Sequence, residues 1–192
     1  MDRRHPVPGS RPAAAVDTPG ARALNVPRDQ CPYTYVTAGG RPGIFFLSLD
    51  AASRLAVFSA RRAYRLPYFE ADITLRSSLD EVVYRSRRKS SDGPPAGFEA
   101  RYRPTDRSYQ ASPGSLDHWL TERYCLYTLA GRTVMRGEIH HPPWPLQPAE
   151  AEIEHNTMVR PYGLRLEGDP LCHFSGLQDV TLWPIMEAEE VG

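Results

Sequence analysis

Three strand-like stretches lie between Phe69 and Arg103, separated by short polar links, and the first and third alternate apolar and polar residues with a period of two. Phe69, Ala71, Ile73 and Leu75 point one way, and Glu70, Asp72, Thr74 and Arg76 the other. Residues 81 to 88 form a second stretch. In the third, Phe98, Ala100 and Tyr102 stand opposite Glu99, Arg101 and Arg103. A period of two is the signature of a half-buried strand. Links as short as residues 77 to 80, or Ser91-Asp92-Gly93-Pro94-Pro95, join antiparallel neighbours, so the pattern predicts a meander with one wet face. Arg85 or Arg87 should then face Glu99 across strands. Such a pair is worth about 0.2–1 kcal/mol and sets register more than stability.

The rest of the chain fits around that meander. Residues 1 to 28 are rich in Pro, Ala, Arg and Gly without a period, and are expected to form a disordered tail before a single domain over 29 to 188. Tyr33 to Val36 reads as a strand stopped by Gly39-Gly40, and residues 43 to 49 as a central buried strand. Asp50 is placed as the N-cap of a helix over 51 to 64, ended by Leu66-Pro67. Ser115 caps a short helix over 116 to 121. Residues 123 to 129 and 133 to 141 are strand-like. The prolines of residues 142 to 148 remove too many donors for helix or inner strand. Residues 149 to 154 alternate like a strand, Asn156 caps a short helix before Pro161, and 178 to 185 closes as a strand. Many strands and few helices give an α+β fold with a large curled antiparallel sheet or partial barrel.

Composition narrows the partners. A chain of 192 residues, 41% hydrophobic and 24% charged, suits one globular core. The formal net charge is zero, so no global field draws the chain to nucleic acid or an anionic membrane, and neither is expected as a partner. No apolar run approaches the roughly 18 residues of a membrane span. Cys31, Cys125 and Cys172 are far apart and make no paired motif. Reduced thiols and a cytoplasmic location are the simplest reading, without metal or other cofactor. Lys89 is the sole lysine, in a basic run from Arg85 that reads as a strand end entering a solvated loop. It is a poor site for the desolvated amine that a Schiff base needs.

Four blocks of sequence resemble the YqjF-like family of bacterial proteins: residues 40 to 51 (Gly-Arg-Pro-Gly-Ile-Phe-Phe-Leu-Ser-Leu-Asp-Ala), residues 120 to 127 (Leu-Thr-Glu-Arg-Tyr-Cys-Leu-Tyr), the run from Arg136 to Glu150 around Glu138-Ile139-His140-His141-Pro142-Pro143-Trp144, and Gln178-Asp179-Val180 with Trp183-Pro184. The resemblance spans about Leu24 to Ile185. It implies a fold similar to acetoacetate decarboxylase, a curled antiparallel sheet with a central cavity. It transfers no catalytic residue, because no position here matches the lysine motif of that enzyme. Relatives carry ordered sequence before Leu24 where this chain has its proline-rich tail. Missing strands would leave an open sheet edge and a route to homo-oligomers.

The candidate site lies between Thr121 and Gln147. Arg136, Glu138 and His140 share one strand face. His140 is a candidate acid–base group with Glu138 orienting it, since imidazole titrates near neutrality; the bland alternative is a solvated charge ladder. Arg123 offers a fork for a substrate carboxylate, or else pairs with Glu122 to fix a helix-to-strand corner. His141, Trp144 and Gln147 complete the candidate binding set. Trp144 is a pocket lid or a core plug, and Cys125 reads as a small buried hydrophobe. Three functions follow: a binding domain with a polar cavity for a small carboxylate or carbonyl compound; a lysine-independent lyase or hydrolase using Glu138 and His140; or a non-catalytic interaction protein.

Overall fold

A computed structural model describes residues 22–23, 30–78, 81–89, 91–176 and 179–188. The expected tail, apart from Arg22 and Ala23, lies outside the described residues, as does Gln178. In chain order the elements are β1 (Arg22–Ala23), β2 (Tyr33–Ala38), β3 (Arg41–Phe46), β4 (Leu49–Ala51), α1 (Arg54–Tyr64), β5 (Tyr68–Ser77), β6 (Val82–Arg88), β7 (Gly97–Pro104), α2 (Leu116–Thr121), β8 (Cys125–Ala130), β9 (Thr133–His140), β10 (Gln147–Asn156), a 3-10 turn at Arg160–Tyr162, β11 (His173–Phe174), β12 (Thr181–Leu182) and β13 (Met186–Glu187). Strands dominate, and the α+β architecture with a curled partial barrel follows.

Two sheets form among the described residues. One has the order β1-β12-β9-β8-β3-β2, with β13 also on β9; the other runs β11-β10-β7-β6-β5-β4. The meander is β5-β6-β7, antiparallel throughout, and Arg85 pairs with Glu99 in register. Two pairings are parallel, β3 with β8 and β4 with β5. The stretch expected as one strand over 43 to 49 therefore breaks at Leu47-Ser48, where the chain leaves one sheet and enters the other.

Asp50 is not a helix cap. Its carboxylate is fully buried and receives Arg88, with Nη2 at 2.6 Å and Nε at 3.1 Å. Arg88 also donates to Ser48 Oγ at 2.8 Å, and its guanidinium lies 3.9 Å from the centre of the Phe69 ring. The helix instead starts three residues later, where Ser53 accepts from the Ala56 N–H. A cap on an exposed first turn is worth about 1 kcal/mol, whereas an unpaired buried charge costs several. The ion pair decides the register.

The core sits where the two sheets meet beneath α1: Leu49, Ala51, Val57, Leu66, Tyr68, Leu126 and Leu182 pack as one buried cluster. Other boundaries shift modestly. β8 begins at Cys125 rather than 123, because the Arg123 N–H still turns back to Thr121 O. β10 takes in Gln147 and Pro148, which pair with β11. Asn156 Oδ1 accepts from Met158 N without starting an α-helix. The last strand is two short pieces split at Trp183-Pro184-Ile185. α2, capped by Ser115, falls where expected.

Candidate functional site

β9 carries the polar face. Arg136, Glu138 and His140 alternate on it with Gly137 and Ile139, and Ile139 packs toward the core. Register places Arg136 opposite Tyr127 and Glu138 opposite Cys125 on β8. One strand further, Gly43 keeps the face tight: a Cβ there would lie 2.5 Å from Cys125 O and 2.8 Å from the Tyr127 ring. Tyr127 is buried and its hydroxyl donates to Ala38 O and Arg41 O, pinning the β2–β3 turn against β8. That turn delivers Arg41 to Glu138.

The result is an open groove of about 460 Å³ lined by Arg136, Glu138, Ile139, His140, Trp183, Pro184 and Met186. Arg136 is largely covered, its side chain 15% exposed. Glu138 is at 44%, and His140 is exposed. Glu138 bridges two guanidinium groups, Arg41 Nη1 at 3.0 Å and Arg136 Nε at 3.3 Å. It does not orient His140; the imidazole instead stacks on Tyr124, with ring centres 6.5 Å apart. The expected pairing of Glu138 with His140 is thus replaced by an arginine–glutamate–arginine bridge beside an imidazole stacked on Tyr124.

The other candidates gather at the adjoining corner. His141 is buried. Its Nδ1 lies 2.9 Å from Pro142 O and its Nε2 3.3 Å from Arg123 O. The ring is stacked on Tyr124 at 4.8 Å and faces Trp144 at 5.3 Å. Glu122 accepts from the Tyr124 hydroxyl, which pushes that phenol up to about 12. Arg123 makes no ion pair with Glu122. Its guanidinium lies over the rings of Trp119 (4.4 Å) and Tyr35 (5.5 Å), and its Nη1 donates to Glu122 O. Gln147 Nε2 donates to Asp106 O on the far side of the Pro-rich run. Glu122, Arg123, His141 and Trp144 therefore form a corner that abuts the groove, and Gln147 stands apart.

Sequence reasoning missed Arg41 and Met186. Neither lies in a patterned segment near β9, and only strand pairing brings them there; Arg41, like Trp183 and Pro184, stood in the motif blocks without an assigned role. Burial raises the Cys125 thiol, which keeps it protonated beneath Glu138. Lys89 sits 2.5 Å from Glu70 and 3.7 Å from Asp72. The hydrogen bond to Glu70 raises its ammonium pKa, the wrong direction for an amine nucleophile. Cys125 and Cys172 form no disulfide, and no group of three or more potential metal ligands occurs among the described residues. No helix of the described residues is long and apolar enough to cross a membrane.

Residues 33–179 match the family DUF2071, described as an uncharacterized conserved protein. The chain belongs to this family. It is 48% identical over 171 residues to the uncharacterized protein YqjF of Bacillus subtilis (strain 168), covering 87% of this chain and 67% of that one. The resemblance carried by the four motif blocks holds. Among solved structures, this DUF2071 chain is similar to acetoacetate decarboxylase from Legionella pneumophila (TM-score 0.54, 15% identity, 84% of this chain and 66% of that one). It is similar also to the enduracididine biosynthesis enzyme MppR complexed with pyruvate (TM-score 0.50, 12% identity, 83% of this chain and 65% of that one). At such identities the likeness establishes the fold alone. The chain spans slightly less than two thirds of these structural neighbours.

Proposed function

We propose that this DUF2071 chain is a binding domain for a small carboxylate or carbonyl compound, received in the groove that Arg136, Glu138 and His140 share. The observation supporting it is the convergence of Arg41, Arg136, Glu138 and His140 on one strand face against the apolar wall of Trp183, Pro184 and Met186. Two guanidinium groups share a single carboxylate, so one positive charge is left over for an anion. A guanidinium fork matches a carboxylate in plane and charge. His140, beside it, offers a nitrogen to a carbonyl oxygen. The structural neighbours support the ligand class: one is an acetoacetate decarboxylase and another holds pyruvate, both concerned with small keto acids. Lys89 is engaged by two carboxylates, so the reading is one of binding rather than Schiff-base chemistry.

Thermal shift with pyruvate and acetoacetate is the direct test. Saturating ligand should raise Tm, since about 100 Kd of ligand adds about 2.7 kcal/mol to stability. Arg136→Gln should abolish the shift without lowering the ligand-free Tm by more than a few degrees. If neither acid moves the Tm of the wild type, or if the shift survives Arg136→Gln, the groove is not the binding site.

A further inference from the structure

A second and larger groove, of about 1290 Å³, crosses the charged face of β5, β6 and β7 and reaches the turn after β10. The acids that line the groove are already engaged: Glu99 by Arg85 and Asp72 by Lys89. Two cations that line the groove are not. Among the described residues, the side chains of Arg87 and Arg160 have neither an ion pair nor a hydrogen bond, and both are exposed. Asp72 stands across the strand from Arg87 but turns to Lys89.

The backbone brings these two arginines to the same groove. Arg87 pairs in register with Gly97. Gly97 N donates to Thr157 Oγ1 at 3.0 Å, and Thr157 N donates to Gly97 O at 2.9 Å. That clasp holds the turn carrying Arg160 beside the strand carrying Arg87. A Cβ at Gly97 would lie 3.3 Å from Ser86 O and 3.5 Å from the His155 ring, which places His155 directly over this position.

From this geometry we infer that the groove is a phosphate-monoester site, with Arg87 and Arg160 taking the dianion and His155 at its rim. Two uncommitted guanidinium groups match the charge of one dianion, and their planar forks match its oxygens. The shared chemistry is the phosphate group, whether free or carried on a small organic molecule. The site is separate from the β9 groove and stands or falls without it.

Calorimetric titration with inorganic phosphate and with phenyl phosphate, at constant ionic strength, tests it. The wild type should bind, and phenyl phosphate binding more tightly would identify an ester site rather than a free-phosphate one. Arg87→Gln and Arg160→Gln should each weaken binding about tenfold, the loss expected for one charged hydrogen-bonded contact. Arg101→Gln, on the same face but already paired with Glu154, and Arg136→Gln, in the other groove, should leave it unchanged. Absence of binding by the wild type would overturn the proposal, as would equal losses in Arg87→Gln and Arg101→Gln, which would indicate a diffuse field rather than a site.

Discussion

The residue that most shapes this molecule is Asp50. Burial raises its carboxyl pKa, opposed by the Arg88 hydrogen bonds and charge. Arg88 in turn spends its donors on Asp50, Ser48 and Pro94 O. Such a cluster stands only when complete. Asp50→Ala should therefore destabilise the fold by about 3–5 kcal/mol, because the guanidinium is left buried and unpaired; urea unfolding measures it. A loss under about 1 kcal/mol would mean that water reaches Arg88. Nothing local in the sequence distinguishes this aspartate from a helix cap. Asp50 precedes an amphipathic run, as a cap would, and its true partner is 38 residues away. Arg88 was equally hidden, since a basic run in sequence reads as solvated until strand alternation buries every second member. Here Arg88 is buried, while Arg85 and Arg87 are exposed.

At the scale of elements, period-two patterning was enough for the meander and for β9, where one face is wet and the other packed. It failed where a strand is apolar on both sides. β3 and β4 read as one segment because periodicity carries no sign of a change of sheet. The candidate site was legible to the same degree: alternation grouped Arg136, Glu138 and His140, but the carboxylate's partners came from pairing between strands. The two adjacent histidines at the end of β9 test this division of roles. His141 sets its ring between the carbonyls of Pro142 and Arg123, to either of which a ring N–H can donate, and is held between aromatic rings, so it ties β9 to the corner after α2. Truncating a buried ring costs about 3–5 kcal/mol, and His141→Ala should fall in that range by chemical denaturation. His140→Ala, on the exposed side, should stay within about 0.5 kcal/mol. Equal losses for the two would mean that the corner is not what His141 holds.

For the whole molecule, the fold class was within reach of the sequence because strand count, link length and scarce helix all agree on a curled sheet. The pairing order, with its two parallel contacts, was not, since it depends on which edges the chain leaves open. Among the described residues, β2 closes one side of its sheet with six uncharged residues, Tyr33–Ala38, and Thr34 and Thr37 on it are exposed. A flat, charge-free edge presents unpaired N–H and C=O groups to any second strand, and proteins commonly block such edges with lysine. Self-association through β2 follows as an expectation. Sedimentation velocity should show mass rising with concentration, and the double variant Thr34→Lys with Thr37→Lys should sediment as a monomer with its Tm retained, since both positions face solvent. If the wild type is already monomeric at the highest soluble concentration, the β2 edge is protected by something other than charge. The Trp119 ring packed on Tyr35 is then the covering to examine.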